Sequence, residues 1–301
     1  MIARYWPVLV VLYAGLSYGF VFSINRFVIE AGVPFLGYVF WQAAGATVIL
    51  LGVCALRRRL PRLDLAHAKL YLVIGLFGVT YPSSIWTLVA PKIPIGIVVL
   101  GLGLVPSMVY LISLGLRMER FVGLRALGIL LGLGGMLLIV VPETSLPSPD
   151  MTGWVLLTFT APLSFALMTI AGDRLRPENS DLLGDSLGLV FVAAISLVPL
   201  MAIFDGWWVF AAPLDQIDGA VLLVILIVAT NWIAFFAVIK ARGPVFWTMS
   251  NYLDTLCGIG WGILLYHERH SPWVWAAAGL ILGSLVLINR TAPAARKAEA
   301  A

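Results

Sequence analysis

Residues 243–268 read GPVFWTMSNYLDTLCGIGWGILLYHE, a mostly apolar run long enough to cross a bilayer as a helix. Gly243-Pro244 makes a natural helix start, because proline fixes φ and lacks an N–H that the first turn has no partner for. Asp254 follows ten residues later, flanked by Asn251, Tyr252 and Thr255. At about 1.5 Å per residue it sits roughly 15 Å into the helix, near the membrane centre. A carboxylate there costs about 2.5–3.5 kcal/mol unless it is neutral, paired or wetted. Two readings follow: an acid facing a water-filled pathway, or an acid protonated or paired with a neighbouring helix.

The rest of the chain matches this run. Of 301 residues, 61% are hydrophobic and 11% charged, with mean hydropathy +1.01; soluble domains carry about 25% charged residues. The sequence is that of an integral membrane protein, with the lipid bilayer as its surroundings. The net charge of +4 does not imply nucleic-acid binding, because the basic residues lie in short loops. Cys54 and Cys257 fall inside apolar runs and form neither a disulfide framework nor a metal motif. Ten apolar segments are expected as spanning helices, at about 6–29, 34–56, 70–90, 93–116, 122–141, 151–171, 183–204, 219–240, 243–266 and 271–289. The first is too long for a signal-peptide core and is read as uncleaved. With both termini in the cytoplasm, only Arg26, Lys92 and Arg269 of the 19 basic residues fall outside, the bias that membrane insertion favours.

The two halves, residues 1–145 and 146–301, resemble each other. Met118-Glu119-Arg120 and His267-Glu268-Arg269 stand 149 residues apart, and the same offset aligns Gly134 with Gly283. Ala14-Gly15-Leu16-Ser17-Tyr18 echoes Ala161-Pro162-Leu163-Ser164-Phe165 at an offset of 147. Five helices per half, an odd number, place the second copy upside down. Inverted repeats mark secondary transporters, whose substrate sites lie near the midplane. The expected fold is an all-α membrane protein of ten transmembrane helices in two inverted five-helix repeats.

Several motifs then resemble one family. Pro106 lies thirteen residues before Glu119, and the second half carries Lys240-Ala241-Arg242-Gly243-Pro244, Tyr252 and Leu264-Leu265-Tyr266-His267-Glu268. Over essentially the whole chain this pattern is similar to EamA-type transporters of the drug/metabolite transporter superfamily. One departure stands out: Thr255, after Asp254, occupies the place of the second-half proline. The resemblance implies a cavity lined by helices 1, 3, 4, 6, 8 and 9, with 5 and 10 peripheral. It also implies export of a small polar metabolite, an amino acid or related compound, across the cell inner membrane by alternating access. Multidrug or quaternary-ammonium export, a nucleotide-sugar or sugar-phosphate carrier, and a non-transporting sensor or scaffold remain the alternatives.

The expected substrate-binding residues are the polar and aromatic ones at mid-depth on those helices. They are Ser17 and Tyr18; Tyr81, Ser83 and Trp86; Tyr110; Ser164; Asn231 and Trp232; and Trp247, Asn251, Tyr252 and Asp254. Pro82, Pro106 and Pro162 are expected to permit helix bending, Pro82 by removing an i→i−4 bond and freeing a carbonyl. The repeat offset pairs Pro82 with Asn231, so each half is expected to carry an irregularity at that level. A lone Ser or Thr more often bonds its own helix or a neighbour. Glycine pairs Gly128/Gly132, Gly258/Gly262 and Gly279/Gly283 suggest close helix packing, and a monomer or weak homodimer. Gly15-Leu16-Ser17-Tyr18-Gly19 matches a hydrolase nucleophile elbow, but lies inside a spanning helix rather than on a strand–turn–helix. No phosphate loop or metal-spaced cluster is present in the sequence, so no enzyme, cofactor or metal is expected.

Overall fold

The computed structural model describes residues 2–118, 121–142, 144–178, 180–242, 247 and 249–290. Among them every regular element is helical. The order is α1 (Ile2–Glu30), α2 (Phe35–Arg57), α3 (Leu65–Ile74), a π-helical segment (Gly75–Thr80), α4 (Tyr81–Val89), α5 (Ile95–Leu102), α6 (Val105–Gly115) and α7 (Gly123–Val140). A short 3-10 turn (Pro149–Met151) leads into α8 (Thr152–Leu175), then α9 (Leu182–Ile203), α10 (Gln216–Arg242), α11 (Met249–Tyr266) and α12 (Pro272–Arg290). Eight helices or helix pairs among the described residues are long and apolar enough to cross a membrane, and α11 and α12 follow them. The Gly243-Pro244 helix start lies outside the described residues, as does Glu119. Large apolar side chains such as Val48, Leu130, Ile203 and Leu264 point outward, as expected of a surface that meets lipid rather than water. The chain is a multi-pass membrane protein.

Helix ends follow local chemistry. Asp64 caps α3 by accepting from the N–H groups of Ala66 and His67, both at 3.0 Å. Those bonds, the His67 one foremost, hold its carboxyl below the usual range. Arg58 closes α2 in the left-handed region at φ 53°, letting Arg59 N–H donate to the Cys54 carbonyl at 2.8 Å.

Irregular backbone concentrates in the third and fourth spans. Pro82 sits in the first turn of α4, directly after the π-helical segment, and Pro106 in the first turn of α6, where α5 has ended at Leu102. Ser164 Oγ donates to the Phe77 carbonyl at 2.7 Å, and Thr80 Oγ1 and Ser196 Oγ are 2.8 Å apart. A neighbouring helix thus satisfies one carbonyl of the π segment, and another anchors its last side chain, as the apolar surroundings require. The second half differs from expectation here. α10 runs unbroken through Asn231, whose Nδ2 donates to the Ile227 carbonyl at 3.0 Å within its own helix. Without a proline that level needs no break. Pro162 likewise sits inside a continuous α8.

The packing pairs α1 with α10 and α11, α8 with α3, α4, α5 and α6, α2 with α9, α5 with α11, and α7 with α12. Glycine sets the closest approaches. A Cβ on Gly19 would come within 2.8 Å of the Gly258 backbone nitrogen and 3.0 Å of the Asp254 carbonyl, and Gly15 abuts Leu253 in the same way. Between α7 and α12 the close contacts are Gly135 against the Ala277 carbonyl and Gly132 against Ser284 Oγ, whereas Gly279 and Gly283 face open space. Gly19→Val should therefore lower the thermal midpoint of the detergent-solubilised protein, an overpacking loss of about 1–3 kcal/mol. Gly260→Ala on α11, where a Cβ meets nothing, should leave it unchanged or raised.

Candidate functional site: a central cavity with one acid

A cavity of about 230 Å³ lies between the two halves. α1 presents Tyr18, α4 Ser83 and Trp86, and α10 Asn231, Trp232 and Phe235; Trp247 follows, and α11 contributes Ser250, Asn251 and Asp254. Eight of the sequence-derived candidates thus share one wall: Tyr18, Ser83, Trp86, Asn231, Trp232, Trp247, Asn251 and Asp254. Aromatic rings form much of it; the ring centroids of Phe235 and Trp247 are 5.4 Å apart, and those of Trp86 and Phe165 6.2 Å. No Lys or Arg lines the cavity among the described residues.

The other candidates lie elsewhere, each held by a specific contact. Ser17 supports the wall from behind, accepting from Asn231 Nδ2 at 3.0 Å and donating to the Ala14 carbonyl at 3.1 Å. Ser164 is engaged by the Phe77 carbonyl. Tyr81 turns away from the cavity, and its hydroxyl donates to Thr160 Oγ1 at 2.8 Å. Tyr110 packs near the start of α7, accepting from the Val122 N–H at 2.8 Å with the Arg125 guanidinium 4.9 Å from its ring centre. Tyr252 is half-buried and outside the lining. Helical phase explains it: two residues from Asp254, it points roughly 160° away.

Sequence reasoning missed the contributions of α2 and α9. Val39, Gln42 and Ala43 come from α2 and Val190 from α9, two helices absent from the expected lining. Gln42, the one amide in the apolar run of α2, is the signal that marks it. Gly78 of the π segment and Met168 of α8 complete the floor, and a Cβ on Gly78 would press within 2.8 Å of the Met168 side chain.

Three atoms of the wall are enclosed and, among the described residues, have no hydrogen-bond partner: Asp254 Oδ1, Gln42 Nε2 and Trp86 Nε1. An enclosed polar group left unpaired costs about 1–3 kcal/mol. Among the described residues the wall therefore holds one acceptor and two donors that no group engages within hydrogen-bond distance. Asp254 is 6% exposed. Thr255, which replaces the expected proline, donates to the Asn251 carbonyl at 3.0 Å, so α11 runs straight through the acid.

Comparison with known proteins bears on the first half by sequence and on the whole chain by shape. Residues 5–141 match the EamA-like transporter family. No curated protein matches the chain in sequence. A crystal structure of a protein aligns with 93% of this chain and 95% of its own, at a TM-score of 0.60 and 16% identity, a likeness of fold alone. Through residues 5–141, which include α1, α2 and the irregular third and fourth spans, the chain is similar to the EamA-like transporter family.

Proposed function

We propose that this protein is a secondary transporter that exports small polar metabolites, amino acids or related compounds, across the cell inner membrane by alternating access. In this reading it spans the membrane ten times as two inverted repeats, 1–145 and 146–301, with both termini cytoplasmic. The helix pairing supports the repeat. Exchanging the halves turns α1 on α10 and α11 into α8 on α3 to α6, and leaves α2 on α9 and α7 on α12 unchanged. The charge bias of the loops supports the orientation.

The observation that carries the substrate class is the unpartnered acid in a cavity without a base. A bound ammonium compensates the Asp254 carboxylate, and surrounding rings add cation–π attraction of about 0.5–2 kcal/mol. Gln42 and Trp86 offer the donors that the carboxylate of a zwitterion needs. A cavity of about 230 Å³ is smaller than the ~300–1,000 Å³ of drug-sized sites, which favours an amino acid over a nucleotide sugar. The aromatic wall also suits a quaternary ammonium, the second reading.

Flux from proteoliposomes loaded with amino acids, organic cations and nucleotide sugars tests both, with and without a pH gradient. Amino-acid release should exceed that from empty liposomes. Asp254→Asn should abolish it, or remove any dependence on the gradient, while the thermal midpoint stays near wild type. Wild-type flux and pH profile in that variant would remove Asp254 from the mechanism. Release of quaternary ammonium alone would select the second reading, and no flux of any class from folded protein would favour a sensor or scaffold. Occupying the cavity is an independent check: Ser83→Trp should cut flux by at least about tenfold, equivalent to about 1.4 kcal/mol, without unfolding the protein.

A further inference from the structure

Among the described residues two ion pairs join the halves, and they lie at opposite ends of the molecule. Arg59 Nη1 meets Asp181 Oδ1 at 2.6 Å on the arginine-rich face, where the side chains are 57% and 34% exposed. Such a pair contributes little. At the other end Arg26 Nη1 lies 3.2 Å from Glu268 Oε1, and the Glu268 side chain is 6% exposed.

Glu268 does more than pair with arginine. Its Oε1 also accepts from the Ile95 N–H at 2.6 Å, and its Oε2 from the Gly96 N–H at 3.1 Å. The carboxylate therefore caps the N-terminus of α5, where unpaired N–H groups and the helix dipole favour negative charge. Local backbone aims it there: His267 adopts φ 51° after the last turn of α11, which reverses the chain. Two glycines leave the room. A Cβ on Gly262 would reach within 2.6 Å of Glu268 Oε2, and one on Gly96 within 2.6 Å of His270 Nε2. His270 Nε2 is 3.4 Å from Glu268 Oε2. Burial pushes that imidazole below its ordinary value, so at neutral pH the positive charge facing Glu268 is that of Arg26. Arg26 is held in turn by Glu30 at 2.7 Å and lies 4.4 Å from the Tyr266 ring centre.

The cavity is asymmetric in the matching sense. Toward the arginine-rich face it shares Met168, Trp232 and Phe235 with a second cavity of about 180 Å³, lined by Tyr71, Arg176 and Asp185. Toward Glu268 it meets a continuous apolar cluster that includes Trp86, Val89, Ile95, Val99, Phe159 and Ile259. The end toward Glu268 is therefore closed by packed apolar side chains, and the other continues into the second cavity on the arginine-rich side.

We propose that Glu268 is the latch of an outer gate: it ties α1 and the N-terminus of α5 to the end of α11, holds the cavity closed on that side, and must release both for substrate to leave there. The proposal rests on the transporter reading and its orientation. Glu268 acts as a positioning residue and touches no substrate.

The test uses full-length protein in which Cys54 and Cys257 are replaced by alanine and Ser83→Cys supplies a thiol on the cavity wall. A membrane-impermeant maleimide is applied to intact cells and to inside-out vesicles. With Glu268 present, labelling should come from the cytoplasmic face alone. Glu268→Gln, which removes the charge, and Gly262→Ala, which keeps the charge but displaces the carboxylate, should both raise labelling from the outside severalfold. Unchanged outside labelling in both variants overturns the latch. So does loss of the folded, monodisperse protein in both, because the contact is then a staple of the fold. Labelling of the parent first from outside, with the variants opening the cytoplasmic face, reverses the orientation and keeps the latch. Side-specific gains without flux of any solute keep the gate and refute the transport reading.

Discussion

The close approach of α1 to α11 is the contact on which the interior depends. Gly15 and Gly19 let the α1 backbone come against Leu253, the Asp254 carbonyl and Gly258, at distances no side chain would permit. Lipid tails are as apolar as the helices, so helix association in a bilayer depends on such fitted contact rather than on hydrophobic exclusion. That contact carries Asp254 inward, beside Tyr18 and opposite Asn231 of α10, and leaves a cavity where the remaining helices cannot also close. Tyr13 Oη and Thr230 Oγ1, 2.6 Å apart, and the bond from Asn231 to Ser17 tie α10 to the same helix. α1 is thus the common wall for the two second-half helices that carry Asn231 and Asp254.

The third span meets a different constraint, that of backbone accounting in a medium without water. A π-helical segment and a proline in succession disturb the hydrogen-bond ladder, and in hydrocarbon each orphaned group costs several kcal/mol. Ser164 of α8 donates to one of these carbonyls, that of Phe77, and Ser196 of α9 pairs with the Thr80 hydroxyl, so neighbouring helices hold the irregular segment. The segment also brings glycine backbone to the cavity floor at Gly78 and against the Leu189 carbonyl at Gly75. π-helical turns recur at functional sites because they widen a helix locally and turn its side chains out of phase.

Composition alone made the chain a membrane protein, and the apolar runs placed most helices to within a few residues. Asp254, Asn231 and the tryptophans of the wall were legible because a polar or amphipathic residue at depth has few reasons to be there. What stayed hidden depends on azimuth, which a single sequence of apolar helices scarcely encodes. Tyr81, Tyr110 and Tyr252 have the right chemistry and depth, but their helices turn them away, toward Thr160, the Val122 N–H and positions outside the lining. Gln42 was missed for the converse reason: a lone amide marks the inner face of α2, but α2 was not among the helices expected to line the cavity. The π segment was not foreseen at all; Pro82 announced an irregularity without its form.

Two enclosed acids then allow a comparison within one molecule. Glu268 is surrounded by two backbone donors and an arginine, so its charge is compensated by the fold and its removal would strand those donors. Asp254 stands at the cavity wall with an oxygen that no group among the described residues satisfies. An acid kept for stability alone would be expected to resemble the first, because an unpaired buried carboxylate is destabilising and an apolar residue of similar size would serve better. The persistence of the second arrangement makes sense if compensation comes from outside the chain, as a proton or an ammonium that enters and leaves. Under the proposed transport reading the same reasoning separates their roles: the saturated acid belongs to a closed state that must be broken, and the unsaturated one to a state that must be filled.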